Sequence, residues 1–334
     1  MSTRVVDIHA HMLVPAVEAL VAERPERREA LRQQAEASSV ESAAQNRTLM
    51  TEYLSKLTDV EVRLAAMDAM GVDMQAVSTS PTQYYNTDDP HLARDIARAA
   101  NEHIAQVCAS HPDRFVGLAA VTLQHPELAA QQLTYAINEL GMRGCQISTR
   151  IGEMELADPS HDVFWRQAEE LGAVVFVHPL GCTLGDRVKP YYLTNVIGQP
   201  IETTIALSHL IFGGTLDRQP GLKLCAAHGG GYLPSYIGRS DHGYRVRPES
   251  RTMEKPPSEY LKQIWFDSLV YTPGGLEHLV REVGASQVVI GTDYPFDMGV
   301  ERPLEQIDAT NLSEADRERV RGANAMQLLR IESP

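Results

Sequence analysis

The sequence predicts an α/β protein with a (β/α)8 TIM barrel fold, formed by a single domain over residues 1–334. Eight short apolar runs alternate with longer segments of helical periodicity, and this alternation is typical of parallel βα units. The first run leads into His9-Ala10-His11, where an open nucleotide-binding sheet would normally have a glycine-rich turn. Later runs also end in side chains that can bind metal, as expected at the active face of a barrel. These observations favour a closed barrel.

The eight apolar runs predict eight strands along the whole chain. They are Val5–Ala10, Met74–Ser80, Phe115–Val121, Gly144–Ser148, Val174–His178, Lys223–Ala227, Ile264–Ser268 and Val288–Gly291. Apolar residues at helical spacing predict helices between most of them. These helices are Val60–Met70, Leu92–Ala109, Pro126–Leu140, His161–Leu171 and Gly275–Val283. Ser313 is the expected N-cap of a closing helix over Ser313–Leu329.

Two stretches are too long to be simple connections between a strand and its helix. Residues 14–60 follow strand 1, are rich in charged and amide side chains, and contain a predicted helix at Pro25–Ala37. Residues 180–222 follow strand 5 and contain Pro190-Tyr191-Tyr192 and a predicted helix near Thr203–Phe212. Loops of this length on a compact barrel are usually lids or substrate-binding segments. We therefore expect insertions after strands 1 and 5.

Composition and net charge indicate which kinds of molecule the protein can bind. A formal net charge of -14 argues against nucleic acid and anionic membrane surfaces, which require a basic face. No run approaches the roughly 20 apolar residues that a membrane span needs. The four cysteines show no CxxC spacing and no apolar signal segment precedes them, so a reduced cytoplasmic setting is expected. A small-molecule substrate is the expected partner.

Side chains that can bind a metal lie at the ends of four predicted strands. His9 and His11 are two residues apart on one strand, so both imidazoles point to the same side. His178, His228 and Asp293 follow strands 5, 6 and 8. Because the carboxyl ends of parallel barrel strands open onto one face, we expect these side chains to meet there. The sequence therefore predicts a metal site at this face.

The expected ligands are His9, His11, His178 and Asp293, a set that leaves a coordination position open for catalysis. His228 is either a further ligand or a group that moves protons. Binuclear barrels of this kind commonly bridge their metals with a lysine at the end of strand 4. Strand 4 has no lysine in Gly144–Thr149, which favours a single metal.

Five segments together resemble the amidohydrolase superfamily, and more closely its 2-amino-3-carboxymuconate-6-semialdehyde decarboxylase branch. They are His9–His11, Met67–Asp73, His178–Pro179, His228–Gly231 and Gly291–Phe296, in the same order through nearly the whole chain. The resemblance implies one zinc per chain, with manganese as a possible substitute, on the four expected ligands. It also implies that His228 is the acid–base group.

The resemblance further implies a homodimer in which Arg239 crosses the interface to bind a substrate carboxylate. Members that act on the carboxymuconate semialdehyde use a second arginine, and Thr51 stands at that position here. Arg47, four residues upstream, is the candidate replacement, because threonine cannot provide bidentate carboxylate recognition. Without such a replacement, a hydroxylated aromatic acid is the expected substrate. Tyr191 and Phe296 are candidates to line a planar substrate pocket, with packing as the alternative role.

The leading hypothesis is a non-oxidative decarboxylase, a carbon–carbon lyase, in which His228 and Asp293 manage the proton added to the carbon that loses carbon dioxide. Either this carbon is protonated first or hydroxide adds to the conjugated system, and the sequence leaves both routes open. The alternative is a hydrolase or hydratase of a lactone, an amide or a conjugated acid, which the same ligands support. A structural zinc in a binding protein is the third hypothesis.

Overall fold

A computed structural model describes residues 4–332, which form ten strands. They are β1 (Val6–Met12), β2 (Met74–Thr79), β3 (Phe115–Ala120), β4 (Gly144–Ile147), β5 (Arg150–Ile151), β6 (Met154–Glu155), β7 (Val174–Val177), β8 (Lys223–Ala226), β9 (Ile264–Asp267) and β10 (Val288–Val289). Strands β5 and β6 form a separate antiparallel hairpin. The other eight pair in parallel, each with the next barrel strand along the chain. All eight predicted barrel strands are therefore present.

The first and last strands come together and nearly close the barrel. The Ile8 N–H donates to the Ile290 carbonyl at 2.9 Å, and the His11 N–H donates to the Tyr294 carbonyl at 2.9 Å. The pairing of β1 with β2 shifts between Asp7 and Ala10, as in a β-bulge. The predicted TIM barrel is thus confirmed. The bulge lies in β1 itself, at the position of His9.

Two buried apolar clusters stabilise the barrel. One joins side chains of non-adjacent strands, including Ile8, Leu118 and Phe176, and therefore fills the interior. Leu328 and Leu329 of the last helix belong to the same cluster. The other cluster packs the outer faces of the strands against the surrounding helices. Each fully buried large apolar side chain contributes roughly 1.5–3 kcal/mol, so this double layer holds the strand ends in place.

The helices of the described residues surround the strands. They are α1 (Pro15–Val21), α2 (Pro25–Glu36), α3 (Val40–Thr58), α4 (Val60–Met70), α5 (Pro90–Ser110), α6 (Pro126–Asn138), α7 (Asp162–Glu170), α8 (Gln199–Phe212), α9 (Thr215–Arg218), α10 (Leu233–Val246), α11 (Pro257–Tyr260), α12 (Pro273–Val283), α13 (Pro303–Asp308), α14 (Glu314–Glu318) and α15 (Asn324–Leu329). Within residues 4–332, no helix combines the length and apolar character needed to cross a membrane.

Local sequence explains where these helices begin and end. Helix α4 begins after Asp59, whose carboxylate accepts the Glu61 N–H at 2.9 Å, and ends at Gly71 with φ 71°. Ser313 caps α14 as predicted, because its hydroxyl accepts the Asp316 N–H at 3.2 Å. The predicted closing helix is present and runs without a break from Glu314 to Leu329. A wider π-type turn at Arg319–Ala323 lies inside it and joins α14 to α15.

Three helices, α1 to α3, lie between β1 and α4. The predicted helix Pro25–Ala37 corresponds to α2, whereas α1 and α3 were not predicted. Helix α3 contacts the barrel through the buried side chains Tyr53 and Leu57. The status of residues 14–60 as an insertion stays a prediction.

Candidate metal centre

The two histidines of β1 face each other at the carboxyl end of the barrel. Their Nε2 atoms are 3.1 Å apart, and both side chains are fully buried. The Asp7 carboxylate accepts the His9 N–H at 3.0 Å and so holds the strand at its bulge. The period-2 argument from the sequence therefore places both imidazoles correctly.

Asp293 and His178 complete the group. The Asp293 N–H donates to the His9 carbonyl at 2.8 Å, and Asp293 Oδ1 lies 3.2 Å from the Nε2 atoms of both His9 and His11. The His178 ring centroid is 4.8 Å from those of His9 and His11. One donor atom from each of the four side chains lies within 4.8 Å of the others. We call these four residues the buried cluster; it is the one such group within residues 4–332.

The hydrogen bonds of the buried cluster favour a positive charge at its centre. His9 donates its Nδ1–H to Asp267 Oδ2 at 2.7 Å. Ser78 donates its hydroxyl to Gln146 at 2.6 Å, so its oxygen accepts the His11 Nδ1–H at 3.3 Å. When both rings are neutral, their Nε2 lone pairs therefore point at each other and at Asp293. Such an arrangement is repulsive unless a positive charge lies among the three atoms.

The same geometry fits a zinc-type site. Ligand atoms about 2.1 Å from one ion lie about 3.0–3.5 Å from one another, which matches the separations of His9, His11 and Asp293. In the described part of the chain, neither ring nitrogen of buried His178 has a hydrogen-bond partner. A buried polar atom left without a partner costs about 1–3 kcal/mol, so the unpaired ring nitrogens of His178 also favour a bound metal ion.

The charges around the buried cluster also favour a cation at its centre. Burial alone lowers the pKa of His9, but the charge of Asp293 and the hydrogen bond to Asp267 outweigh it and raise the pKa to about 10. Burial lowers the pKa of His11 to about 4. Burial raises the pKa of Asp293, but the neighbouring histidines hold it well below its usual value. The cluster therefore attracts a positive charge and keeps Asp293 ionised.

His228 stands beside the buried cluster. Its Nε2 is 3.7 Å from Asp293 Oδ2, the oxygen opposite to the one that faces His9 and His11. Its side chain is 13% exposed, whereas that of His9 is 0% exposed. His228 has φ 54°, a left-handed conformation that is uncommon outside glycine and is typical of functional turns.

Sequence reasoning missed the residues that hold the ligands. Asp267 is the last residue of β9, and no role was predicted for its carboxylate from the sequence. Asp7 is a fully buried charge inside an apolar run, which is itself a signal. Burial raises the pKa of Asp7 to about 6, although its hydrogen bonds act in the opposite direction. Arg63 is fully buried below His11 and donates to Gln75 Oε1 at 3.1 Å and to the His11 carbonyl.

We call the four predicted substrate-binding residues, Arg47, Tyr191, Arg239 and Phe296, the rim. The half-buried Phe296 ring lies 5.5 Å from the His11 ring. Arg47 is exposed on α3, and Arg239 is exposed on α10. Tyr191 is 88% exposed. The chain thus brings Phe296 alone of the four into contact distance of the buried cluster.

Comparison with known proteins identifies the family of this chain. A family model described as Amidohydrolase matches residues 6–331. The chain belongs to the amidohydrolase family. It is 39% identical over 284 residues to 2-amino-3-carboxymuconate-6-semialdehyde decarboxylase of Dictyostelium discoideum, covering 84% of this chain and 79% of that protein. The predicted branch of the superfamily is therefore confirmed.

Solved structures agree in fold. A 2,6-dihydroxybenzoate decarboxylase in complex with 2,6-dihydroxybenzoate has a TM-score of 0.83 and 25% identity, covering 99% of this chain and 100% of that chain. A 5-carboxyvanillate decarboxylase of Novosphingobium aromaticivorans, solved with manganese, has a TM-score of 0.86 and 24% identity, covering 98% of this chain and 96% of that chain. All three similar proteins are decarboxylases, and the two solved structures share the fold of this chain.

Proposed function

We propose that this protein is a metal-dependent, non-oxidative decarboxylase of a hydroxylated aromatic acid or a carboxymuconate-semialdehyde-like acid. The observation behind this proposal is the position of Asp293. One of its oxygens faces His9 and His11, and the other faces His228. A single carboxylate thus joins the metal position to a group that can move a proton. The decarboxylases similar to this chain support the reaction type.

His9, His11, His178 and Asp293 would hold the ion. A divalent ion bound there would act as a Lewis acid that polarises a substrate oxygen and fixes its position. Phe296, at the edge of the cluster, offers an apolar face against which a planar ring can lie. Through the ion and this apolar face, these residues would bind and orient the substrate.

His228 would deliver the proton. A new C–H bond forms at the carbon that bears the carboxylate, and the His228 imidazolium returns to neutral imidazole. The C–C bond then breaks, its electron pair restores the conjugated system, and carbon dioxide leaves. Asp293 stabilises the positive charge of His228 before the transfer, and His228 takes a new proton from solvent. Protonation before cleavage avoids a free carbanion.

The proposed ion is one zinc per chain. The nitrogen-rich ligand set suits zinc, and the manganese in the carboxyvanillate decarboxylase makes that ion the alternative. The lack of a lysine on β4 supports a single ion. Gln146, the residue before the last one of β4, does not replace such a lysine, because it already accepts a hydrogen bond from Ser78. Elemental analysis of the purified chain checks both proposals: two ions per chain would contradict the single site, and manganese would change only the identity.

The proposed assembly is a homodimer that shares Arg239. This arginine is exposed on α10, as is Tyr236 at 69%, and Tyr232 immediately before the helix is 42% exposed. Exposed aromatic and arginine side chains on one helix are typical of a protein interface. Arg239 of one chain would then bind a substrate carboxylate in the partner's site.

The decisive experiment measures carbon dioxide released from a panel of acids by the metal-loaded chain. The panel contains 2,6-dihydroxybenzoate, 5-carboxyvanillate and a carboxymuconate semialdehyde. In deuterated water, we expect deuterium at the carbon that lost carbon dioxide, as protonation by His228 requires. Hydrolysis of lactones or amides without release of carbon dioxide from any acid would instead make the protein a hydrolase.

A further inference from the structure

We propose that Asp267 is a positioning residue that fixes both the metal-facing tautomer of His9 and the loop that bears His228. Asp267 is the last residue of β9 and is fully buried. Its two oxygens serve different parts of the site. Oδ2 accepts the His9 Nδ1–H at 2.7 Å, and Oδ1 accepts the Gly229 N–H at 2.8 Å. One carboxylate therefore joins a ligand of the cluster to the backbone of the proton carrier.

The first role concerns His9. A neutral imidazole has one N–H, and the side that meets a carboxylate must be that N–H. With the proton on Nδ1, the lone pair of Nε2 faces His11 and Asp293, 3.1 and 3.2 Å away. Outer groups of this kind set the orientation and basicity of metal ligands. Asp267 thus makes Nε2 available as a ligand.

The second role concerns the turn after β8. His228 has φ 54° and Gly229 has φ 60°, so two successive residues are left-handed, and this conformation is costly for His228. The Gly229 N–H that Asp267 holds belongs to the peptide that joins these two residues. The hydrogen bond therefore fixes the peptide plane from which the His228 side chain extends toward Asp293.

A third contact shows how closely Asp267 is fitted. A Cβ at Gly291 would lie 2.7 Å from Asp267 Cβ and 3.0 Å from Oδ2. Any side chain at Gly291 would displace the carboxylate or the segment that leads to Asp293. Asp267 is thus packed between the elements that supply His9, His228 and Asp293.

Two variants separate the two roles. Asp267→Asn keeps an oxygen for Gly229 but turns an NH2 group toward His9, which moves the His9 proton to Nε2 and blocks that ligand. We expect zinc affinity, measured by competition with a chelator, to fall by about 10- to 100-fold. NMR of the zinc-loaded chain should lose the His9 Nδ1–H signal, and exchange of the Gly229 amide hydrogen should stay slow. In Asp267→Ala, Gly229 exchange should also accelerate by at least tenfold.

Asp217→Asn is the matched control, because Asp217 also accepts a backbone N–H, that of Glu254 at 3.0 Å, but precedes β8 in the chain. It should leave zinc affinity unchanged. Unchanged affinity and a retained Nδ1–H signal in Asp267→Asn would overturn the proposal. If the Asp267 variants do not fold, Gly291→Ala decides: the displaced carboxylate should weaken zinc binding severalfold, and wild-type affinity would overturn the proposal.

This inference rests on the proposed metal function, yet the two can fail separately. If the wild-type chain binds no divalent ion, the proposed function fails. Gly229 exchange in the wild type and in Asp267→Ala can still be compared without metal, and equal rates would then overturn the role of Asp267 as well.

Discussion

The buried cluster and the rim differ in how their side chains are held. His9 is fixed by Asp267 and His11 by Ser78, and the residues of the cluster are buried. At the rim, Arg47 and Arg239 are exposed on α3 and α10, and Tyr191 is 88% exposed. Preorganised groups can act on a reacting atom at once, whereas free side chains must first be ordered by a substrate or a partner. The groups of the buried cluster are thus positioned within one chain, whereas the rim side chains must be ordered by a substrate or a partner before they can select a substrate.

The largest effect should come from removing a ligand. His9→Ala leaves an incomplete donor set and removes the partner of Asp267, so metal content should fall below about a tenth of an ion per chain, with no measurable decarboxylation. Elemental analysis after exhaustive dialysis checks this. His278→Ala, at a partly exposed histidine of α12 outside the buried cluster, is the control. A His9→Ala chain that kept its metal would remove His9 from the ligand set.

The next effect should separate the proton carrier from the ligands. Because His228 lies beside the cluster, His228→Ala should keep the metal yet lose activity by a factor of roughly 10² or more. His228→Asn, which tolerates the left-handed backbone better, controls for strain at this position. Metal content and kcat are measured on the same preparations. Loss of metal in both variants would make His228 a ligand.

A smaller effect is expected at the proposed shared arginine. Arg239→Ala should raise KM by roughly 10- to 100-fold, because a hydrogen bond to a charged group contributes about 1.5–3 kcal/mol. The sharper experiment mixes Arg239→Ala chains with His228→Ala chains. Each heterodimer then has one site with both an intact His228 and an intact partner arginine, so activity should recover in part. No recovery after verified subunit exchange would show that the site is not shared.

The smallest effects should distinguish substrates at the rim. If Arg47 replaces the arginine that is missing at Thr51, Arg47→Ala should raise KM by roughly tenfold for acids with two carboxylates and leave acids with one unchanged. Tyr191→Ala, at an exposed side chain, should change either KM by less than about twofold. A wild-type preference for the carboxymuconate semialdehyde that is unaffected by Arg47→Ala would rule out this replacement.

The same contrast explains what the sequence could predict. Apolar runs located all eight barrel strands, because a buried parallel strand must be almost continuously apolar. The cluster was predictable because each member lies within or shortly after such a run. The predicted last strand extended to Gly291, whereas the ladder with β9 ends at Val289 and Ile290 forms only an isolated bridge to Asp7. The closing helix was predicted, but its wider turn at Arg319–Ala323 was not, because that turn has no strong local signal.

The supporting residues were harder to find because their partners are distant in the chain. His9 and Asp267 are 258 residues apart, and no periodicity connects them. Arg63 was not assigned a role from the sequence, although its guanidinium donates to the His11 carbonyl and lies 4.8 Å from the Tyr294 ring. The rim could not be predicted for a different reason: the contacts proposed for Arg239 depend on a second chain.

The charged groups in and around the buried cluster also determine the charge of the ion that can bind there. Asp7, Asp267 and Asp293 supply three negative charges at neutral pH, and the fully buried Arg63 supplies one positive charge. A bound metal displaces the extra proton of His9, and with neutral imidazoles two negative charges then remain for the ion to compensate. Uncompensated charge inside a protein costs several kcal/mol. A divalent ion brings the sum to zero, whereas a monovalent ion leaves a deficit. Charge neutrality therefore selects for a doubly charged cation before any preference among zinc, manganese or other metals applies.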